Sequence, residues 1–140
     1  MPSPESMAEY NKARAWVFFV LYCGLIFFMS SQPGNPNLVL PFPHFDKLVH
    51  FIEYLVFAVF LSRALVYSGW RKTAIFAFAA AVAYGITDEI HQMYVPLRSS
   101  DWRDLIADSA GATFGIFIYQ MMLPPTRRDP LFSGRSERPD

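Results

Sequence analysis

Charged residues are scarce in this chain. Asp, Glu, Lys and Arg make up 17% of its 140 residues, whereas an ordinary soluble domain has about a quarter. The 12 basic and 12 acidic residues leave no formal net charge, so the chain lacks the basic excess that is typical of proteins that bind nucleic acid. The composition therefore argues against a soluble domain and gives no indication of a nucleic-acid partner.

Cysteine is almost absent, and familiar catalytic motifs are missing. Cys23 is the single cysteine and lies in an apolar stretch, so it has no partner for an intrachain disulfide and is expected to pack as a small apolar group. No His-Glu-x-x-His zinc motif occurs, and no serine or cysteine stands in a recognisable nucleophile setting. The sequence therefore assigns no catalytic residue, no metal ligand and no cofactor.

Apolar residues, by contrast, are abundant, at 53% of the chain with 14 Phe. Four stretches of about 20 residues are long enough to cross, as helices, the roughly 30 Å hydrocarbon core of a bilayer. They cover residues 13–31, 47–68, 73–95 and 103–123. We therefore predict an all-α integral membrane protein, a four-helix bundle in contact with the lipid bilayer.

These stretches form one domain, residues 13–123, between two polar ends. We expect residues 1–12 to be a cytoplasmic N-terminal segment. Residues 124–140 begin with two prolines and are mostly polar, and we expect a disordered cytoplasmic tail. The first stretch ends in Ser30-Ser31-Gln32, a poor match to the small-residue cleavage site of a signal peptide, so this helix is expected to be retained. The sequence carries no signal for an oligomeric state.

Basic residues are distributed unequally between the two ends of the predicted bundle. One end has Lys12, Arg14, Arg63, Arg71, Lys72, Arg127 and Arg128, and the other has Lys47, Arg98 and Arg103. The positive-inside rule places the richer end in the cytoplasm, together with both termini. We therefore predict a multi-pass protein of the cell (inner) membrane, whose loops at 32–45 and 95–102 face outward.

Ionisable residues interrupt three of the four apolar stretches. An ionisable group inside a membrane helix is costly unless it is paired, hydrated or near the interface, and such residues often mark functional sites. The seven are His50, Glu53, Asp88, Glu89, His91, Asp104 and Asp108. Each set lies near the outward end of its helix, so the topology predicts all seven at one depth.

The spacing of these residues predicts that they face one another. Within each helix the polar residues recur at three or four positions and so share one face. Three such faces at one depth can enclose an outward-facing polar pocket, and Arg98 in the adjoining loop can fold back to pair with a carboxylate such as Asp88. The candidate ligand-binding residues are His50, Glu53, Asp88, Glu89, Gln92, Arg98, Asp104 and Asp108.

Helix ends offer a simpler explanation for some of the acids. Asp46, Asp101 and Asp104 each stand at or near a predicted helix start, where a carboxylate stabilises main-chain N–H groups. Asp46 in particular is the expected N-cap of the second helix. Glu53 and Asp108 lie more than one turn inside their helices, so this explanation is weaker for them.

Small residues at four-residue intervals indicate close contacts between helices. The third stretch has Ala77, Ala81 and Gly85, and the fourth has Ala107, Gly111 and Gly115. Small side chains at this spacing let two helix backbones approach closely, although alanine also simply favours helix formation. The pattern therefore predicts a tightly packed bundle around the polar residues.

Three ordered motifs resemble the VanZ-like family of small bacterial membrane proteins. Residues 46–54 (DKLVHFIEY) are similar to that family's D-K-x-x-H-F-x-x-Y signature, and residues 88–92 (DEIHQ) to its D-E-x-x-Q motif. Residues 95–98 (VPLR), followed by Asp101, Asp104 and Asp108, resemble its V-P-G-R…D…D-x-x-x-N stretch. Two positions depart from the pattern, because Leu97 stands where glycine is usual and Asp108 where Asn is frequent.

The resemblance implies a four-helix membrane protein and supports the candidate residues. The family's namesake is associated with low-level resistance to the glycopeptide antibiotic teicoplanin, but the resemblance implies no particular reaction. Three classes of function stay open at this point. They are a membrane protein whose pocket binds a cell-envelope ligand (a lipid headgroup, a cell-wall precursor or a glycopeptide), a membrane-embedded enzyme, metal-dependent or not, that uses paired carboxylates and His50, and a structural or assembly subunit.

Overall fold

Four packed helices make up the regular structure in the computed structural model, which describes residues 3–35, 37, 41–124 and 127–129. The helices are α1 (Pro4–Ser30), α2 (Phe45–Tyr67), α3 (Thr73–Gln92) and α4 (Trp102–Met122). The predicted all-α four-helix architecture is confirmed. Most of the predicted loop at 32–45 and a small part of the tail fall within the described residues. The described loop residues ahead of Phe45 and the described tail residues are not α-helical.

Two helix starts differ from the sequence-based expectation. α1 begins at Pro4, ahead of the predicted start at residue 13, because the Ser3 hydroxyl accepts from the Ser6 N–H at 3.2 Å and Pro4 occupies the first turn. α2 begins at Phe45, after His44 in the left-handed conformation with φ of 63°. The prediction of Asp46 as N-cap was therefore wrong, because this residue lies inside the first turn.

Three of the helices are long and apolar enough to cross a membrane. Their mean hydropathy is 1.8 for α1, 1.7 for α2 and 1.3 for α3. α4 has 21 residues, or about 31 Å of helix, but it is not among these three helices. The helix faces on the outside of the bundle carry exposed large apolar side chains, such as Phe18 and Phe78, which are the surface in contact with lipid.

α2 and α4 run parallel and in close contact. Gly111 lies against the main chain at Phe51, and Gly115 lies one turn further along against Leu55. A Cβ at either glycine would clash with the carbonyl oxygen of its neighbour on α2. The two glycines therefore permit the helix approach predicted from their spacing, and the partner is α2.

The apolar core lies in the middle of the bundle. Tyr54 and Phe57 of α2 are almost completely buried, and the Phe57 ring contacts the rings of Phe19 on α1 and Tyr84 on α3, at centroid distances of 5.1 and 5.2 Å. Cys23 packs against this core as a free thiol, as predicted. The core thus packs α1, α2 and α3 together next to the polar residues.

A separate polar contact closes the opposite end. The buried Gln120 side chain of α4 donates to Thr73 Oγ1 at 3.0 Å and accepts from the Asp129 N–H at 2.9 Å. Asp129 Oδ2 in turn accepts from the N–H of Ala74 at 3.1 Å. Most of the tail that we expected to be disordered, residues 124–140, lies outside the described residues, but this short part of it packs on the start of α3.

Candidate functional site

The polar residues occupy one end of the bundle, where α2 and α4 begin and α3 ends. The antiparallel course of α3 brings its last turns beside the first turns of its neighbours. The clearest link joins α2 to α4: the His50 Nδ1–H donates to Asp108 Oδ1 at 3.0 Å. Asp108 is 1% exposed and His50 7%, so this pair is inside the protein.

His50 also faces a second acid of α4. Its Nε2 lies 4.0 Å from Asp104 Oδ2, one helical turn before Asp108. With its Nδ1 proton donated to Asp108, the ring presents a lone pair at Nε2 in its neutral form and a second N–H there when it is protonated. The imidazole is therefore held between two carboxylates, with its remaining nitrogen directed toward Asp104.

Lys47 binds three carboxylates at the edge of this group. Its Nζ lies 2.6 Å from Asp104 Oδ1, 2.8 Å from Asp101 Oδ2 and 3.0 Å from Asp46 Oδ2. The hydrogen bond from Lys47 lowers the pKa of the Asp101 carboxyl below its ordinary value. Lys47 was absent from our candidate residues, although its place three residues before His50 puts both side chains on one face of α2.

Glu89 ties the end of α3 to the start of α4. Its Oε2 accepts from the Ser100 hydroxyl and from the Asp101 N–H, both at 2.8 Å. Asp101 is itself the N-cap of α4, with its side chain accepting from the Arg103 N–H at 3.0 Å. The other oxygen of Glu89, Oε1, is buried and has no hydrogen-bond partner among the described residues.

The remaining residues of α3 divide between two directions. Gln92 Nε2 donates to Asp88 Oδ2 at 3.0 Å, and both side chains lie among the polar residues at this end of the bundle. His91 instead turns toward α1, where its Nε2 hydrogen-bonds the Ser31 hydroxyl at 2.9 Å and its ring lies 4.6 Å from the Phe27 ring. His91 shares the depth of the others but not their direction.

Arg98 binds main-chain carbonyls at the end of α1. Its Nε donates to Gln32 O at 3.2 Å and its Nη2 to Met29 O at 3.1 Å. The predicted pairing with Asp88 is therefore wrong, because the last carbonyls of α1 lack partners within their helix and attract the guanidinium. Arg98 fastens the loop before α4 to α1.

The turn that positions Arg98 contains a residue in an unusual conformation. Leu97 has φ of 60°, in the left-handed region that glycine adopts without a steric penalty. Its carbonyl lies against Gly34, and the Gly34 N–H donates to Pro96 O at 3.0 Å. Leu97 is the position where the family pattern has glycine, and the backbone conformation explains that preference.

Two neighbouring cavities open among these side chains. The first has a volume of about 220 Å³, and its polar lining is Ser30, Asp46, His50, Glu53, Asp88, Gln92 and Arg98. The second, of about 210 Å³, is lined by Asp46, Lys47, His50, Gln92, Leu97, Arg98, Ser99, Asp101 and Asp104. The two share four residues and so adjoin.

All eight candidate residues therefore lie at this end of the bundle. Six line one or both cavities: His50, Glu53, Asp88, Gln92, Arg98 and Asp104. Asp108 lies behind His50, and Glu89 lies beside the start of α4. Besides Lys47, we had overlooked Tyr54, whose completely buried hydroxyl has no partner in the described part of the chain; the final position of the 46–54 motif was the available signal.

Three apolar helices that can span a membrane, packed with a fourth around a buried polar cluster, define a small multi-pass membrane protein. The comparison with family models agrees with this class. The chain belongs to the VanZ/LLP1 family, whose model matches residues 15–123. The comparisons with curated proteins and with solved structures give no match.

Proposed function

We propose that this protein binds an amphipathic molecule of the cell envelope by its headgroup. The observation that carries the proposal is the mixed lining of the larger cavity. Ile26, Phe45 and Val49 form an apolar side, while Glu53 and Asp88 are on the polar side. Such a lining suits a molecule with an apolar part in the bilayer and a polar group at its end.

The size of the cavities favours a headgroup over a larger ligand. They measure about 220 and 210 Å³, whereas sites for drug-sized ligands usually measure about 300–1,000 Å³. A glycopeptide antibiotic would not be enclosed by either cavity. A single sugar, an amide or an amine at the end of a lipid is a better fit.

The charges favour a headgroup rich in hydrogen-bond donors. Asp46, Glu53 and Asp88 line the cavity of about 220 Å³ with one permanent cation, Arg98, and two of the guanidinium nitrogens already donate to carbonyls of α1 and the following turn. Carboxylates accept hydrogen bonds and repel anions. A phosphate or carboxylate is therefore disfavoured inside the cavity, and an ammonium group, which combines hydrogen-bond donors with a positive charge, is favoured over neutral hydroxyl or amide groups.

Native mass spectrometry of the purified protein tests this proposal. The probes are phosphatidylethanolamine, whose headgroup carries an ammonium, and phosphatidylglycerol, whose headgroup has no cation. We expect phosphatidylethanolamine to be retained more strongly, and Glu53→Gln with Asp88→Asn to reduce that preference about tenfold, which corresponds to about 1.4 kcal/mol. Glu9→Gln is the matched control, because Glu9 is an exposed acid near the start of α1.

Equal retention of both lipids by the wild-type protein and the double variant would contradict the proposal. Retention that is equally weak for Val49→Trp, which narrows the cavity, and for the wild-type protein would do the same. In either case the cavity would not be a headgroup site.

A further inference from the structure

The structure assigns a divalent-metal site to His50, Glu89 and Asp104, one residue from each of α2, α3 and α4. One ring nitrogen and one carboxylate oxygen from each acid lie within 4.8 Å of one another, and all three residues are buried. Imidazole nitrogen and carboxylate oxygen are donors that Zn²⁺ and other first-row divalent ions take. This assignment is independent of the proposed headgroup binding.

The His50 ring is oriented as a metal ligand. Its Nδ1–H donates to Asp108 Oδ1 at 3.0 Å, which leaves Nε2 as the donor atom. Metal-binding histidines usually donate their other N–H to a carboxylate or carbonyl in this manner, which fixes the tautomer and raises the basicity of the ring. Asp108 is therefore a positioning residue for the site.

The two oxygens of the Asp104 carboxylate have different neighbours. Its Oδ1 is ion-paired with Lys47 at 2.6 Å, and its Oδ2 faces His50 Nε2 at 4.0 Å. Lys47 also contacts Asp101 and Asp46, so its charge is balanced by carboxylates outside the proposed site. Glu89 and Asp104 then supply the two negative charges that a divalent cation requires.

Glu89 provides a second, independent observation that points to a ligand. The residue is 7% exposed, its Oε2 is engaged by Ser100 and Asp101, and its Oε1 has no hydrogen-bond partner in the described part of the chain. A buried carboxylate oxygen without a partner is costly, and coordination to a metal is one of the few ways to stabilise it. The bonds from Ser100 and Asp101 account for Oε2, and coordination of a cation would account for Oε1.

The separation of the donors fits a site that contracts slightly around an ion. Ligands at 2.0–2.2 Å from a tetrahedral zinc are about 3.4 Å apart, against 4.0 Å between His50 Nε2 and Asp104 Oδ2 and at most 4.8 Å between any two of the three donor atoms. A decrease of up to about 1.4 Å in the distances between donor atoms closes these differences. Three protein ligands leave a further coordination position, and the smaller cavity, which His50 and Asp104 both line, adjoins it.

Zinc binding to the whole chain purified in detergent tests the assignment. After treatment with a chelator, wild-type protein is titrated with Zn²⁺ and the bound metal is measured by elemental mass spectrometry; we expect one ion per chain. His50→Gln and Glu89→Gln should each weaken binding at least 100-fold, and Asp108→Ala about 10- to 100-fold. The matched controls are His91→Gln, on the side of α3 that faces α1, and Glu9→Gln, an exposed acid near the start of α1, both of which should bind zinc like wild type.

X-ray absorption of the wild-type zinc complex provides a measurement that needs no variant to fold. We expect one imidazole, oxygen in the remaining positions and no sulfur. Absence of stoichiometric zinc binding, a spectrum with two imidazoles, or equal loss of binding in His50→Gln and His91→Gln would each overturn the assignment. Because zinc binding and lipid retention are separate measurements, failure of the metal site and failure of headgroup binding can be told apart.

Discussion

His50 and Asp108 join α2 to α4 by a 3.0 Å hydrogen bond inside the bundle. The two residues are 58 positions apart, and each stands in a different motif of the sequence. Asp108 is almost completely inaccessible, so its carboxylate is shielded from bulk solvent. The arrangement of the polar residues around His50 depends on this pair, because the hydrogen bond fixes the direction of the imidazole.

We expect Asp108→Ala to destabilise the protein more than Asp108→Asn. Alanine leaves the buried His50 N–H without an acceptor, which costs about 1–3 kcal/mol, whereas the asparagine oxygen can still accept and should cost less than about 1 kcal/mol. Thermal unfolding in one detergent gives the comparison. Equal stability of Asp108→Ala and wild type would show that the bond contributes nothing.

Gly111→Ala is expected to loosen the bundle. The added methyl group would clash with the carbonyl oxygen of Phe51 on α2, and overpacking of this kind usually costs about 1–3 kcal/mol. Gly24→Ala is the matched control, because a Cβ at that position of α1 meets no atom within 4 Å. The free energy of unfolding should fall for Gly111→Ala and stay unchanged or rise for Gly24→Ala; the reverse order would refute the close approach of α2 and α4.

Leu97→Gly should stabilise the loop between α3 and α4. A non-glycine residue at φ of 60° costs about 1–2 kcal/mol, while glycine adds entropy to the unfolded chain worth about 0.4–1 kcal/mol. The net gain is therefore about 0–1.6 kcal/mol. Differential scanning calorimetry of both proteins measures this change in stability. A lower melting temperature for Leu97→Gly would mean that contacts of the exposed leucine side chain contribute more than the backbone strain costs.

Removal of Arg98 should detach its loop from α1. Arg98→Ala loses both hydrogen bonds to the carbonyls of Gln32 and Met29, at a cost of about 1–2 kcal/mol, and Arg98→Lys can keep only one of them. Arg103→Ala is the control, since that side chain lies over the ring of the exposed Trp102. Thermal unfolding should rank Arg98→Ala below Arg98→Lys and both below Arg103→Ala. An Arg98→Ala protein as stable as wild type but defective in lipid retention would assign Arg98 to the ligand instead.

The orientation in the membrane stays a prediction. Arg71, Lys72, Arg127 and Arg128 border one cavity at the end away from the polar group, and the positive-inside rule places that end in the cytoplasm. Cysteine labelling of intact cells should modify Asn35→Cys and Ser100→Cys but not Gly69→Cys, after replacement of Cys23 by alanine. Labelling of Gly69→Cys alone would invert the topology and place the polar group on the cytoplasmic side.

The fold class could be predicted from the sequence because the bilayer imposes a simple rule. A helix needs about 20 apolar residues to cross it, and four such stretches are visible without any knowledge of their contacts. This rule missed the start of α1 at Pro4, because the first turns of that helix are polar. The signal for that start is a helix cap, Ser3 followed by Pro4. Family membership followed from motifs that are local in the sequence.

The eight candidate residues could be placed at one end of the bundle by topology and helical spacing alone, but their partners could not. Spacing gives the face of a helix and not the rotation of that face toward a neighbour, so the sequence placed His91 at the depth of the others but did not predict its contact with Ser31. The partners of Arg98 are the carbonyls of Met29 and Gln32, which have no partner within α1, and the turn that holds Arg98 there packs against Gly34 through the bond to Pro96. Apolar length and periodicity determined the helices and the depth of the polar residues, whereas the contact of α4 with α2 through Gly111 and Gly115 decided which acids surround His50.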